Sequence, residues 1–281
     1  MQNMARLRWQ SKTIILLTVP LAATWLLLEA DAHPTRATWM GLAISAAFAL
    51  LVWTVRAATG MASLTGGLLC ACMYIATVVQ PDGSWLHTAL LAGLTLFLLA
   101  FAATRFRRGS KESIGTAESK RGRSSAQVTA NLGVATWAAI LTTTHPITGL
   151  VAMVAALAEA AADTVSSELG QVLGGEPLLV TTGKFVPRGT DGGVTMAGTL
   201  SGALAAAILV LVAAITLHLD GIEAAIAWTA AFLGLFADSY LGATLEQRGW
   251  LSNDAVNFLS TLVAALIAGF GDKFIAQLRL H

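Results

Sequence analysis

Two groups of carboxylates lie at the ends of strongly apolar segments. The first group contains Glu159, Asp163 and Glu168, and the second contains Asp238. An ionisable side chain at membrane depth costs roughly 2.5–3.5 kcal/mol on insertion scales, so it normally faces a partner or a water-filled site. Mg²⁺ prefers oxygen ligands, commonly one or two carboxylates together with substrate phosphates. We therefore predict that Asp163, Glu168 and Asp238 are catalytic residues that bind Mg²⁺.

Helical spacing brings only some of these carboxylates together. Asp163 follows Glu159 by four residues, so the two side chains project from nearly the same helical face. Glu168 is turned away from Asp163 by about 140° on an ideal helix, so it can share an ion only if the helix end unwinds or if it acts from the rim. The alternative is that Glu159 and Asp163 pair with a neighbouring Lys or Arg. Few basic residues lie inside the apolar segments, which favours the functional interpretation.

A glycine-rich, basic segment at 181–193 lies between the two carboxylate groups. Glycines allow backbone N–H groups to converge on an anion, and Lys and Arg donate charge-assisted hydrogen bonds to phosphate. The spacing is not that of a P-loop, and an interspan turn without a ligand is the alternative. The residues for which we predict phosphate or nucleotide contacts are Lys184, Arg188, Gly189, Thr190, Asp191, Gly192 and Gly193.

Three amides are further candidates for nucleotide contacts. Asn131 and Asn257 lie within apolar segments, and Asn253 lies where the last apolar segment begins. Each also has a structural explanation. Asn131 and Asn257 can form hydrogen bonds between helices, and Asn253 can cap a helix.

The composition indicates that these residues belong to a membrane protein. The chain has 281 residues, of which 56% are hydrophobic and 12% are charged, whereas soluble domains carry about 25% charged residues. Several apolar runs reach the roughly 20 residues that cross a bilayer as a helix. We predict an all-α polytopic membrane protein with about nine transmembrane helices and a polar site on its cytoplasmic face. The predicted spans are 12–30, 38–55, 61–79, 85–104, 126–143, 148–168, 195–217, 223–244 and 254–275.

The order of apolar and charged segments predicts three regions. Residues 1–104 form a four-helix membrane region that carries few polar residues and looks accessory, and 126–281 form the catalytic membrane domain. Residues 105–125 form a basic linker, in which seven Lys and Arg against two Glu give a net charge of +5. Positive charge marks the cytoplasmic side, so we expect the linker, the N-terminus and the polar site there. The expected location is a plasma membrane or an inner membrane of bacterial type.

Several ordered motifs resemble one family. The segment 160–170 reads A-A-A-D-T-V-S-S-E-L-G, and 181–195 reads T-T-G-K-F-V-P-R-G-T-D-G-G-V-T. The segments 238–244 and 253–258 read D-S-Y-L-G-A-T and N-D-A-V-N-F, and 127–131 reads Q-V-T-A-N. In this order and spacing they resemble the integral membrane family of transmembrane protein 19 and the plastid phytyl-phosphate kinases, known as domain of unknown function 92. Val165 and Ser166 stand where that family usually has Trp and Ala.

The resemblance implies a prenyl-phosphate kinase in the lipid bilayer. Such an enzyme converts a prenyl monophosphate to the diphosphate with a nucleoside triphosphate, CTP being the expected donor, and with Mg²⁺ as cofactor. No nucleic-acid partner is expected, and a homodimer is left open.

Two alternatives come from other classes. A transporter or lipid flippase would use the carboxylates for ion coupling, but it predicts polar residues through the bilayer rather than on one side. A CTP-dependent lipid cytidylyltransferase would share the metal and phosphate site, so only its products separate it from a kinase.

Overall fold

The computed structural model describes residues 8–78 and 85–279. Within these ranges every predicted apolar segment coincides with a helix. Residues 1–7, 79–84 and 280–281 of the predicted regions and spans lie outside the described ranges. The helices are α1 (Arg8–Ala32), α2 (Arg36–Thr54), α3 (Gly60–Ala76), α4 (Leu90–Arg105), α5 (Arg108–Ser113), α6 (Ser125–Leu141), α7 (Pro146–Leu173), α8 (Met196–Leu217), α9 (Gly221–Leu241) and α10 (Asn253–Leu278).

Six of the described helices are long and apolar enough to cross a membrane by length and composition. They are α1, α2, α7, α8, α9 with its continuation to Glu246, and α10. Helices α3 and α4 are apolar but have only 17 and 16 residues. The prediction of a mostly helical chain with several candidate spans is confirmed, whereas the count of nine spans stays a prediction.

Helix α7 is the central element of the bundle. It packs against α4, α6, α8, α9 and α10, and its residues from Val151 to Ala162 are all buried. Most of these residues are alanines, and small side chains let neighbouring helices approach closely where lipid provides no hydrophobic driving force. The sequence of α7 therefore places Asp163 directly after the most buried stretch of the chain.

The predicted N-terminal region packs against the predicted catalytic region. Helices α1 and α3 contact α6, and α4 contacts α7 and α8. The connection between α2 and α3 also holds the linker, because the Arg123 N–H donates to the Ala57 carbonyl at 2.9 Å and the Thr59 N–H donates to the Arg123 carbonyl at 3.0 Å. Gly122 has a φ of +77°, and a Cβ there would collide with the Ala57 backbone. The α2–α3 connection of this region therefore positions Arg123, and the accessory role of residues 1–104 stays a prediction.

Five helices have one of their ends at the same end of the bundle. Helices α7 and α9 finish there, and α6, α8 and α10 begin there, each after a residue whose side chain caps it (Ser124, Thr195 and Ser252). Helix α9 continues into a π-helical turn, Gly242–Glu246. The α7–α8 connection contains two short antiparallel strands, β1 (Leu178–Leu179) and β2 (Gly193–Val194). The all-α prediction omitted this strand pair.

Candidate functional site

A polar cavity of about 300 Å³ opens at this end of the bundle. Its walls come from the linker, the ends of α7 and α9, the starts of α6 and α10, and the α7–α8 connection. The predicted site residues that line it are Asn131, Asp163, Glu168, Arg188, Gly189, Thr190, Asp191, Gly192, Gly193, Asp238, Asn253 and Asn257. Residues that are distant in sequence are thus brought to one cavity.

Asp163 and Asp238, which we call the carboxylate pair, lie next to each other in its floor. Their carboxyl groups are close enough to interact directly, and Glu159 lies beside both. Asp238 Oδ1 and Glu159 Oε1 are buried and have no hydrogen-bond partner in the described part of the chain. Carboxylates that share a buried site repel one another unless a proton or a cation lies between them. The pair is therefore arranged to receive positive charge.

Glu168 has a different environment. Its Oε2 atom lies 2.5 Å from Lys111 Nζ, and the Lys111 side chain is fully buried. The same Nζ donates to the carbonyls of Ala103 at 2.7 Å and Thr104 at 3.3 Å. Helix α7 continues unbroken to Leu173, so Glu168 stays turned away from Asp163 and lies at the cavity rim. The helix end does not unwind there to bring the two together.

The described residues contain no group of three or more His, Cys, Asp or Glu side chains that could hold a metal ion by themselves. A Mg²⁺ site made by Asp163, Glu168 and Asp238 therefore stays a prediction. The carboxylate pair nevertheless fits a divalent cation, because it offers two adjacent carboxyl groups and a buried oxygen without a hydrogen bond in residues 8–78 and 85–279. Mg²⁺ commonly takes only one or two protein carboxylates and completes its shell with phosphates and water.

Arg123 lies near the end of the linker and contacts α7. Its backbone is held by the α2–α3 connection, and its Nη2 atom donates to Thr164 Oγ1 at 3.3 Å. The guanidinium also lies within electrostatic range of Asp163. It therefore brings a fixed positive charge to the wall of the polar cavity.

The glycine-rich segment is an ordered hairpin. Leu178 pairs with Val194 and Leu179 with Gly193, and Gln247 Nε2 donates to the Asp191 carbonyl at 2.7 Å. Gly192 has a φ of +73°, and a Cβ there would collide with Ala243 and with the Ser239 carbonyl oxygen. Its glycine lets the hairpin lie directly on the end of α9.

The two basic residues of the hairpin differ in position. Arg188 lines the cavity and donates to the carbonyls of Gly175 at 3.0 Å and Gln171 at 3.2 Å. Lys184 is exposed near the turn of the hairpin and is not among the residues lining the cavity in the described ranges. Its predicted phosphate contact is thus not brought together with the other candidates in this structure.

The amides form a bridge between helices. Asn257 Nδ2 donates to Asn131 Oδ1 at 3.2 Å, as one of the two interpretations predicted. Both amides also line the cavity, and Asn257 Oδ1 is buried without a hydrogen-bond partner among the described residues. The capping interpretation of Asn253 is wrong, because Ser252 caps α10 by accepting from the Ala255 N–H.

An apolar cavity of about 360 Å³ adjoins the polar one. It lies between α2, α3, α4 and the start of α6, and Glu118, Arg123 and Asn131 belong to the walls of both cavities. The sequence did not predict this cavity, the positions of Glu118 and Arg123 in its walls, or the contact of Lys111 with Glu168. One signal in the sequence could have indicated these contacts. The carboxylates of 159–168 have no basic partner within their own apolar segment, and the basic linker 105–125 could supply one.

The chain is similar to curated proteins from a plant, an archaeon and a cyanobacterium. It is 30% identical over 191 residues to Protein VTE6, chloroplastic, of Arabidopsis thaliana, covering 64% of this chain and 57% of that protein. It is 38% identical over 123 residues to the uncharacterized membrane protein MJ0933 of Methanocaldococcus jannaschii, covering 42% and 49% respectively. It is 34% identical over 195 residues to the uncharacterized membrane protein sll0875 of Synechocystis, covering 67% and 75%.

The first two matches span about half the length of those relatives. No solved structure matches the chain. The family described as Integral membrane protein DUF92 matches residues 43–265, so the predicted resemblance is confirmed and the chain belongs to this family of integral membrane proteins.

Proposed function

We propose that this chain is a prenyl-phosphate kinase, which transfers the terminal phosphoryl group of a nucleoside triphosphate to a prenyl monophosphate. The observation that carries the proposal is the carboxylate pair, which lines one cavity together with the glycine-rich hairpin and Arg123. Phosphoryl transfer requires mainly positioning and stabilisation of charge on the phosphates. A polar cavity that combines carboxylates, backbone N–H groups and an arginine supplies those features.

Family membership supports a function related to that of prenyl-phosphate kinases. The motifs at 160–170, 181–195, 238–244 and 253–258 resemble those of the plastid phytyl-phosphate kinases, and the chloroplastic relative VTE6 is 30% identical over 191 residues. We further propose that CTP is the donor and that a phytyl or geranylgeranyl monophosphate is the acceptor.

We assign a separate role to each part of the cavity. The backbone of 189–193 and Arg188 would hold the donor phosphates, and Arg123 would face the acceptor phosphate. Asp163 and Asp238 would hold Mg²⁺, with Glu168 at the rim, and the ion when bound would neutralise charge on the donor phosphates. In the reaction an oxygen of the acceptor phosphate bonds to the terminal phosphorus of the donor. The bond from that phosphorus to its bridging oxygen breaks, which releases the nucleoside diphosphate.

The acceptor explains why a strong general base is not needed. A phosphate monoester has a second pKa of about 6, so its attacking oxygen is already ionised near pH 7. The side chains of the cavity then need only to orient the two phosphate groups and offset their mutual repulsion. Arg123 is suited to this role because its guanidinium can bind phosphate oxygens with two parallel hydrogen bonds.

We further propose that α3, α4 and α6 cross the membrane with the six longer helices and that the polar end faces the cytoplasm. The basic linker lies at this end, in keeping with the distribution of positive charge in membrane proteins. Single cysteines at exposed Ser119 and exposed Thr143 should react with an impermeant thiol reagent from opposite sides of the membrane. Labelling of both from the same side would overturn this topology.

The test is a donor assay on purified protein in detergent. The protein would receive Mg²⁺, then CTP or ATP, and then phytyl or geranylgeranyl monophosphate, and the products would be identified by mass. Formation of prenyl diphosphate and a nucleoside diphosphate is the expected result. Release of pyrophosphate with a nucleotide-linked lipid would identify a cytidylyltransferase instead. Folded protein without turnover on any of these pairs would overturn the kinase and make ion or lipid flux in liposomes the next measurement.

A further inference from the structure

The apolar cavity has the shape of a site for a hydrocarbon chain. One face of α4 lines it, with residues spaced four apart from Gly93 through Phe97 and Phe101 to Arg105. At a rise of about 1.5 Å per residue, this stretch of α4 is about 18 Å long. A carbon–carbon bond of about 1.5 Å advances an extended chain by somewhat less than its length. A path of this length would hold a main chain of roughly fourteen carbons.

The charges of the cavity lie at one end. Five basic residues and one acidic residue, Glu118, line it near the ends of α2 and α4 and along the linker, and Glu118 and Arg123 also line the polar cavity. The basic residues are Arg56, Arg105, Arg108, Lys120 and Arg123. The far end is lined by apolar residues such as Phe48 and Phe97, whose rings meet edge to face with centroids 5.2 Å apart. An anionic head group with a single apolar tail matches this distribution of charge.

The apolar path continues beyond this cavity. A second apolar cavity of about 280 Å³ lies between α2, α3 and the start of α4, and it shares Phe48, Cys70 and Gly93 with the first. Gly93 is therefore at the junction of the two. A Cβ on Gly93 would meet no described atom within 4 Å, so a side chain there would project into open space rather than into a neighbouring helix.

We propose that the apolar cavity binds the tail of a single-chain lipid phosphate, with the phosphate beside Arg123, and that the absence of a side chain at Gly93 permits the longest tails. The proposal rests on the proposed function for the identity of the prenyl group. It assigns tail recognition to α2, α3 and α4, and phosphate chemistry to α7, α9 and the hairpin. Gly93 is then a residue that determines specificity, not a catalytic residue.

The test compares Gly93→Leu with Ala102→Leu. Ala102 is on the same helix but is exposed and lines neither of the two apolar cavities, so its substitution adds the same bulk outside the path. Binding of geranyl, farnesyl and geranylgeranyl monophosphate, which increase by one isoprene unit each, would be measured by native mass spectrometry without nucleotide. Gly93→Leu should weaken geranylgeranyl monophosphate binding by about tenfold or more and leave geranyl monophosphate binding unchanged. Ala102→Leu should bind all three lipids as the unmodified protein does.

Retained geranyl monophosphate binding also shows that Gly93→Leu is folded. Equal binding of all three lipids by Gly93→Leu and the unmodified protein would overturn the assignment of the tail to this cavity, as would the absence of any lipid phosphate binding to the unmodified protein. Because this measurement needs no donor, it separates the two proposals. A tail-length effect in a protein that forms no diphosphate would sustain the cavity assignment and reject the kinase.

Discussion

The acidic residues near the end of α7 have two contrasting environments. At the rim, Glu168 forms an ion pair with Lys111, whose Nζ atom lies 2.5 Å from the Glu168 carboxylate and also donates to two backbone carbonyls. In the floor, Asp163 and Asp238 lie beside each other, and Arg123, which is within electrostatic range of Asp163, hydrogen-bonds to Thr164 instead. The rim charge is neutralised by the fold, whereas the floor charge is left for a proton or an ion that comes from outside.

From this difference we expect that Glu168 mainly stabilises the fold and that Asp163 and Asp238 mainly serve the proposed function. Burying two like charges lowers the stability of the folded chain, and breaking a buried ion pair does so as well. Removing a floor charge should therefore reduce activity without reducing stability, and removing the rim cation should reduce stability.

The largest effect is expected for the carboxylate pair. Asp163→Asn and Asp238→Asn should each lower kcat/KM by about a hundred- to a thousandfold, because each removes a ligand of the proposed Mg²⁺ site and the charge stabilisation that it provides. Each variant should melt at the same temperature as the unmodified protein or at a higher one, since one of two neighbouring charges is gone. The measurements are the donor assay and thermal unfolding in the same detergent.

Asp272→Asn is the matched control for these two variants. Asp272 is also buried in a helix, but it accepts a hydrogen bond from Thr148 Oγ1 at 2.7 Å in another part of the bundle. Its substitution should leave turnover unchanged. Near-normal turnover in Asp163→Asn would reject the metal role of the carboxylate pair.

The second effect concerns the ion pair between Lys111 and Glu168 at the rim of the polar cavity. Lys111→Met leaves Glu168 without its cation and should lower the free energy of unfolding by about 2 kcal/mol. This is less than the 3–5 kcal/mol of a fully buried pair, because Glu168 opens to the cavity. The double substitution Lys111→Met with Glu168→Met should recover most of this loss, since two apolar side chains leave no charge uncompensated. A Lys111→Met variant as stable as the unmodified protein would show that the pair does not anchor the linker.

The third effect concerns the hairpin that lines the same cavity as the carboxylate pair. Gly192→Ala should raise the KM for the nucleotide by about tenfold, because the new Cβ collides with Ala243 and moves phosphate-binding backbone. Gly183→Ala is the control, since Gly183 also has a positive φ, of +64°, but a Cβ there meets no described atom within 4 Å. It introduces a similar backbone strain without the collision. Equal KM values for the two variants would indicate that strain, not contact with α9, sets nucleotide binding.

The smallest effect is expected for an exposed ion pair elsewhere in the chain. Asp220 caps α9 and lies 2.9 Å from Arg279 Nη2. Backbone N–H donation from Glu223, and then the Arg279 side chain, lower the pKa of Asp220. A lowered pKa stabilises the folded chain above the ordinary Asp pKa, and this contribution is lost as the pH falls through the lowered value.

Asp220→Ala should therefore cause a slight decrease in the melting temperature at neutral pH. The difference in melting temperature between Asp220→Ala and the unmodified protein should become smaller at acidic pH. The part of this difference that is due to the ion pair with Arg279 should become smaller at high salt, because exposed charges are screened. Melting curves across pH and salt would check this. A decrease as large as that of Lys111→Met would contradict the distinction between buried and exposed pairs.

Much of the fold could be predicted because its signals are local. Long apolar runs predicted the helices, and helical spacing predicted that Glu159 and Asp163 lie on one face of a helix. Asp163, Asp238 and most of the glycine-rich segment could also be predicted as parts of one site, since they form ordered polar motifs in an apolar chain. Whether these groups bind magnesium and nucleotide stays a prediction.

The remaining features depend on contacts between distant parts of the chain. The Lys111–Glu168 pair joins residues 57 positions apart, and the order of the hairpin depends on the approach of Gly192 to Ala243. The apolar cavity is the space left between α2, α3 and α4, so it depends on the angles and distances between helices rather than on any one segment. Residue periodicity carries no information about such spaces.

The attachment of Arg123 to the α2–α3 connection has a consequence for sequence change. The two hydrogen bonds that hold it use only main-chain groups of Ala57, Thr59 and Arg123. Substitutions at Ala57 and Thr59 can therefore accumulate without removing either bond, provided that the path of the chain is kept and the glycine before Arg123 remains. The first helices can therefore change in sequence, and with them the tails that we propose they bind, while the arginine proposed to face the phosphate keeps its place.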